Sequence, residues 1–281
     1  MEQICLNDLP KYTDLVDTLL KLESWDPDDR DIETVRQEYD QEKFKSLRQA
    51  KEVKPELGPT EIRSLQNHMG QEEPVCISQD RELYLASIEE VQRVVDQRVT
   101  EQFEGVVRGG ETIVELGSGY GYNLFLLADR YPDCSFVGCD FSENALTLGR
   151  ELAEDHANIS FKFFDFYDED WSVLDEYDDV ILFTRLSIEQ LPNADPVFGR
   201  PLETYLDRIR TGIHVESVFE FHPDTLLGSL RKSYTEYRDY NRDLLSTLRE
   251  IDEVTIAEQK YDVVGTNPLH PMSIIRWETG R

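Results

Sequence analysis

The stretch IVELGSGYGYN, residues 113–123, places a carboxylate, Glu115, two positions ahead of three alternating glycines, Gly117, Gly119 and Gly121. Glycine at that density breaks regular structure. It is kept where a backbone must turn tightly or let another group come close. The apolar run before it reads as a strand and the residues after it as a helix, so the glycines fall at a strand-to-helix turn. In open α/β sheets the crevice at the carboxyl ends of the strands is where ligands bind. Two ligand classes compete for such a turn. A dinucleotide asks for G-x-G-x-x-G, with its pyrophosphate on the helix N-terminus. Here the spacing is G-x-G-x-G, Tyr122 stands where the third fingerprint glycine would be, and Glu115 would repel phosphates. A ligand with a cationic head suits the carboxylate better.

Other acids follow at the ends of later strands. SFVGCD ends on Asp140, and 140 − 121 = 19 residues separate it from the last glycine. Taken alone, it reads as an acid at a helix N-cap as readily as a ligand contact. ISFKFFDF carries Asp165 and Phe166, with Asp168 close behind. Farther on, IHVESVFEF sets His214 and Glu216 two apart, on one side of a strand. Polar groups on an inner strand are costly unless used. The pair is therefore either a proton-transfer couple or a satisfied core hydrogen bond.

The elements that must position these residues alternate. A helix is predicted over 84–107, a strand over 111–117, a helix over 122–131, a strand over 135–140 and a helix over 143–156. Strands follow over 159–166 and 178–184, a short helix at 187–192 and a strand over 213–221. A long helix over 226–251 then leads to two strands, 254–264 and 272–279, with no helix between them. Alternation of this kind predicts an α/β fold, a doubly wound, mostly parallel Rossmann-like sheet. The last two strands must be antiparallel, because a parallel return needs a crossover of about a dozen residues or more. Residues 1–82 read differently, with helical spacing at Ile32, Val35, Tyr39, Phe44 and Leu47, a break at KPELGPT and a polar connection over 67–82. They are expected to form a helical cap that acts as a lid over the acceptor, leaving 83–281 as the ligand-binding domain.

Over roughly residues 84–281 the chain resembles the class I S-adenosylmethionine (SAM)-dependent methyltransferases. ELGSGYG matches their first motif, DFSENAL the segment after their second strand, and FFDFYD the end of the third. The resemblance implies SAM as cofactor. Glu115 would orient its aminoacyl part, and Gly117, Gly119 and Gly121 would let the backbone approach it. Asp140 would take the ribose, and Asp165 with Phe166 the adenine. The segments TRLSIEQLP, HVESVFEF, RDYNRDLL and NPLHPMSIIRW resemble microbial methyltransferases associated with glycan and polysaccharide clusters. That likeness implies a sugar hydroxyl, or a similar small polar molecule, as acceptor. FTR departs from the pattern, which has a histidine before the serine, and puts any base in that loop in doubt. An oxygen acceptor must lose a proton. His214 is the first candidate for taking it, since its reference pKa of about 6.5 suits proton transfer near neutrality. Glu216 would hold its tautomer, and Glu189 is the next candidate. A regulatory module that binds SAM or a nucleotide without turnover is the alternative.

Composition narrows the partners. Asp and Glu number 58 against 29 Lys and Arg, a net charge of −29 spread along the whole chain. Such a charge fits a high-salt setting, where screening removes self-repulsion. It argues against sequence-independent binding to nucleic acid, itself a polyanion. No apolar run reaches the roughly 20 residues of a membrane span, and the N-terminus lacks a secretory pattern, so a cytoplasmic location is expected. Cys5, Cys76, Cys134 and Cys139 form no C-x-x-C pair, and no metal site is expected. The oligomeric state is not legible.

Overall fold

The computed structural model describes residues 1–13, 15–20, 31–69, 73–168 and 170–280. Its strands are β1 (Glu2–Ile4), β2 (Val75–Gln79), β3 (Glu82–Ala86), β4 (Thr112–Leu116), β5 (Ser135–Asp140), β6 (Ile159–Phe163), β7 (Val180–Arg185), β8 (Ile209–Glu216), β9 (Val254–Val264) and β10 (Met272–Thr279). Its α-helices are α1 (Leu15–Leu19), α2 (Ile32–Arg36), α3 (Lys45–Val53), α4 (Pro59–His68), α5 (Ile88–Glu101), α6 (Tyr122–Ala128), α7 (Glu143–Leu152), α8 (Arg200–Tyr205), α9 (Leu226–Tyr237) and α10 (Leu244–Glu250). A π-helical stretch, Gln37–Phe44, joins α2 to α3.

Seven strands form one sheet in the order β6-β5-β4-β7-β8-β10-β9. The first five are mutually parallel, and β10 runs antiparallel to both β8 and β9. This is the expected Rossmann-like architecture with its antiparallel terminal pair. Side chains alternate between the two faces. Ile113, Phe136, Ile181 and Ile213 enter one apolar layer, and Val114, Val137, Leu182 and Cys139 the other. Both faces are therefore covered, as a parallel sheet requires.

Local chemistry moves several predicted boundaries. The helix expected from residue 84 starts at Ile88, because Ser87 and Glu90 cap it reciprocally: Ser87 Oγ accepts from Glu90 N at 3.2 Å, and Glu90 Oε2 from Ser87 N at 3.0 Å. The residues just before it pair as β3. The long helix over 226–251 is two helices. Asn241 interrupts it, its Oδ1 accepting from Asp243 N at 3.2 Å and Leu244 N at 2.9 Å. An asparagine that bonds nearby backbone competes with a continuous helix. The fifth strand of the main sheet, β8, begins at Ile209 rather than 213 and ends at Glu216. Gly212 is accommodated there because a Cβ would lie 2.2 Å from the Trp277 ring.

Residues 1–82 are not purely helical. A three-stranded antiparallel sheet, β1-β3-β2, accompanies the helices, and β2 lies in the stretch expected to be a polar connection. The helix expected over 11–22 is observed as Leu15–Leu19, and its far end lies outside the described residues. The small sheet is tied to the main one at Ser78, which exchanges backbone hydrogen bonds with Gly265 and donates from Oγ to Asp262 Oδ1 at 2.7 Å. Asp262 Oδ2 lies 2.9 Å from Arg231 Nη2 on α9, in an ion pair with side-chain exposures of 0% and 1% whose facing atoms are not aligned for a hydrogen bond. Removing one partner of a buried pair strands the other charge and costs about 3–5 kcal/mol. Asp262→Ala should lose stability of that order in urea unfolding, and adding Arg231→Met should recover part of it. A loss below about 1 kcal/mol, the range of an exposed pair, would contradict this account of the joint.

Candidate active site

A cavity of about 400 Å³ opens where β4, β5, β6 and β7 end. Its wall takes Gly117, Ser118 and Gly119 from beyond β4, Asp140 and Phe141 from the end of β5, Phe164 to Tyr167 from beyond β6, and Arg185 to Ser187 from the end of β7. The parallel sheet thus gathers segments far apart in sequence at one edge.

All three motif glycines have φ between +56° and +82°, a region costly for residues with a Cβ. The close approach they permit is made by protein groups as well. A Cβ on Gly117 would lie 2.3 Å from Ser187 Cβ, and one on Gly119 would lie 2.9 Å from the Phe44 ring. The loop after β7 and the N-terminal region therefore interlock with the glycine turn.

Glu115 is buried at the cavity wall. Its Oε1 accepts from Asn123 Nδ2 at 2.5 Å, and its Oε2 has no partner among the described residues. Burial pushes its carboxyl up to about 8. Asp140 accepts from Gly119 N at 2.7 Å and Ser142 N at 2.9 Å, yet burial outweighs both and raises it to about 6. Those bonds use one lone pair on each oxygen and leave further acceptor capacity. Asp165 accepts from Tyr167 N at 2.9 Å and pairs with Arg36 Nη2 at 2.8 Å. Phe166 lines the cavity beside it, whereas Asp168 is exposed and outside the lining.

The N-terminal region contributes directly to the cavity wall. Arg36, Tyr39, Lys43 and Phe44 line the same cavity as the glycines and acids. Asp40 fixes the segment by accepting from Ser142 Oγ at 2.6 Å and Asn144 N at 3.2 Å.

His214 does not fit the role of base. It lies on the sheet face opposite Glu115, fully buried and absent from the cavity wall. Trp277 Nε1, which can only donate, gives a hydrogen bond to His214 Nε2 at 2.8 Å. His214 Nδ1 must then carry the proton and donate to Thr184 Oγ1 at 2.9 Å. Burial lowers its pKa to about 3, so it stays neutral, as a satisfied core histidine. Glu216 is likewise absent from the cavity wall. The Thr184 hydroxyl bonds it, and it accepts from Ser187 N at 3.1 Å, Ile188 N at 3.4 Å and Glu189 N at 3.3 Å. Its work is to hold the turn after β7. Burial, with the charge of Glu189 adding, raises it to about 7.

Of the three candidates, Glu189 alone lines the cavity. Its Oε2 is 2.5 Å from His270 Nε2, and Gln190 Nε2 donates to its Oε1 at 2.9 Å. Asn241 N donates to the Glu189 carbonyl at 2.9 Å, so the helix break fixes the turn. His270 is the residue sequence reasoning passed over. Its only signal was a histidine between prolines in NPLHPM, 81 positions from its partner. On the surface, His68, Glu73 and Glu89 bring possible ligand atoms within 4.8 Å of one another. All three are exposed, and exposed acids often cluster so. No helix among the described residues is long and apolar enough to cross a membrane.

Residues 113–200 match the family model described as a methyltransferase domain. Among solved structures, geranyl diphosphate methyltransferase in complex with SAM aligns at a TM-score of 0.50 and 12% identity, over 68% of this chain and 88% of that one. Magnesium protoporphyrin IX methyltransferase from Synechocystis PCC 6803, with bound S-adenosylhomocysteine (SAH), aligns at 0.49 and 16%, over 69% and 87%. A putative methyltransferase in complex with the Haloferax volcanii Trm112 activator aligns at 0.49 and 17%, over 69% and 92%. The first likeness establishes the fold, that of the Rossmann-like methyltransferases, and nothing finer. The comparison with curated proteins finds no match.

The buried acids make stability depend on pH in an unusual sense. Glu115, Glu216 and Asp140 bind protons more tightly folded than unfolded, at about 8, 7 and 6. Stability is lost as pH rises through those values. His214 and His222, both lowered to about 3 chiefly by burial, act oppositely below the unfolded histidine value of about 6.5. The melting temperature of the ligand-free chain should rise as pH falls from 8 to 6.5 and flatten below. A melting temperature that climbs steadily from pH 6.5 to 8 in calorimetry would contradict these assignments.

Proposed function

We propose that the chain is a SAM-dependent methyltransferase acting on a hydroxyl of a small polar acceptor such as a sugar. The observation that carries this reading is the unpartnered, buried Glu115 Oε2 at a glycine turn, within one cavity with Asp140, Asp165 and Phe166. A buried acceptor atom without a donor is costly, and an ammonium group would satisfy it. The methyltransferase domain match supports the reading, as does the likeness in fold to a structure in complex with SAM.

The residues fit the cofactor part by part. Glu115 would hold its ammonium. Asp140 would take the ribose hydroxyls on the lone pairs its backbone partners leave free. Asp165 would take the adenine edge, with Arg36 fixing its orientation and Phe166 flanking the ring. When bound, SAM supplies an electrophilic methyl group on its sulfonium. The chain must then position the acceptor, exclude water and remove one proton. Glu189 would accept that proton, with His270 orienting its carboxylate. The N-terminal segment closes the cavity over both ligands.

Titration of the chain with SAH, followed by calorimetry, tests the binding half. Asp140→Ala removes hydrogen bonds to a charged acceptor worth about 1.5–3 kcal/mol, so affinity should fall by about tenfold or more. Unchanged affinity in a folded variant would remove Asp140 from the site. Turnover is tested by transfer of labelled methyl from SAM into a metabolite extract. Glu189→Gln should cut it by about 10²–10⁴ with SAH affinity within a few fold. Equal turnover would place the base elsewhere, and SAH binding with no transfer at all would favour a regulatory module.

A further inference from the structure

Three cations meet at the cavity: Lys43 from the π-helical stretch, Arg63 from α4 and Arg185 from the end of β7. None forms an ion pair with a carboxylate among the described residues. Lys43 Nζ lies over the rings of Tyr39 and Phe44, at 4.6 Å and 5.4 Å from their centroids. Arg63 sits 5.2 Å from the Tyr122 ring centroid and donates to Gln66 Oε1 at 3.3 Å. Arg185 donates to Asn123 Oδ1 at 3.4 Å. The buried Nε atoms of both arginines have no partner among the described residues.

These charges disfavour one another. Burial, with the charge of Arg63 adding, lowers Lys43 to about 8 and Arg185 to about 10. Three of the acids of the cavity wall have other partners, and Glu115 reaches none of the three cations at ion-pair distance. Asp165 holds Arg36, Glu189 meets His270, and Asp140 accepts from two backbone amides. Glu115 and Asp96 act on Arg185, and Glu38 and Glu189 on Lys43, only beyond ion-pair distance. Gathering half-buried cations with no carboxylate at ion-pair distance is costly. In a chain of net charge −29, the general field also repels anions, so an anionic ligand could be admitted only by a local cluster of this kind.

We propose that Lys43, Arg63 and Arg185 form a cradle for an anionic group, a carboxylate or a phosphate, carried by the methyl acceptor. The inference rests on the methyltransferase reading and narrows its substrate to a hydroxylated acid or a phosphorylated polyol. The cofactor's own carboxylate can neutralise only one of the three charges, which leaves two for the acceptor.

The test titrates the full chain, held at saturating SAH, with citrate, with pyrophosphate and with glycerol as the neutral control. The SAH-loaded chain should bind citrate or pyrophosphate and not glycerol, and the better of the two distinguishes carboxylate from phosphate. Arg63→Met and Lys43→Met should each weaken that binding by about tenfold or more, the effect of losing a charge-assisted hydrogen bond. Lys43→Arg should retain most of it, which separates charge from packing. Three results would overturn the proposal: no anion binding to the loaded chain, binding unchanged in both methionine variants, or anions that bind only the SAH-free chain and compete with SAH. The last would assign the cations to the cofactor. Failure of SAH itself to bind would remove the methyltransferase reading instead. The same anion titration of the free chain, run in parallel, then judges the cradle by itself.

Discussion

A carboxylate oxygen buried without a partner among the described residues, Glu115 Oε2, is the constraint around which the rest of this structure is arranged. β4 carries it in the middle of the parallel sheet, where water does not compete for it. The glycine turn beyond keeps backbone out of its way. Asn123 on α6 occupies the other oxygen, and Arg185 on β7 donates to Asn123 in turn. Burial, with the charges of Asp140 and Glu216 adding, outweighs Asn123 and Arg185 and raises the acid to about 8, so a ligand that brings a cation to it also draws off its proton. The site is thus incomplete in charge until something binds.

The opposite face of the sheet supports the same edge without touching the cavity. Trp277, His214, Thr184 and Glu216 form a chain of hydrogen bonds that ends on the backbone amides of residues 187–189. That chain sets the turn carrying Glu189 and places Ser187 against Gly117. Ser187 Oγ donates to the Leu116 carbonyl at 2.9 Å, which joins the ends of β4 and β7. A fully satisfied buried network of this kind specifies one arrangement. The polar pair on the inner strand is used for position and not for proton transfer.

Much of this was legible in the sequence. The alternation of strands and helices, the antiparallel end and the glycine turn follow from spacing and periodicity, and the acids at the ends of β4, β5 and β6 meet in one cavity. What was not legible depended on partners far away in the chain. His214 and Glu216 do share a side of β8, as their spacing requires, but no local pattern reports that Trp277 and Thr184 already occupy both ring nitrogens. His270 and Glu189 meet across 81 positions. β8 starts early because residues 209–212 pair with β7 and β10, where Gly212 leaves room for Trp277, another long-range contact. The small sheet escaped notice since β2 is short and lies in polar surroundings, and β3 runs directly into the amphipathic helix, whose pattern absorbed it. The part Phe44 and Lys43 play in the cavity was hidden for the same reason: helical spacing places a face, not what the face meets.

The most direct test of the central claim is calorimetry of SAH binding near pH 7 in two buffers of different ionisation enthalpy. Glu115, held at about 8 by burial, is mostly protonated in the free chain at that pH. Pairing with the ligand's ammonium favours its ionised form, so binding should release a proton, and affinity should rise between pH 6 and 8. Glu115→Gln should abolish the proton release. Binding of SAH with the same heat in both buffers and a pH-independent affinity would contradict the account, because the ligand would then not be meeting the buried carboxylate.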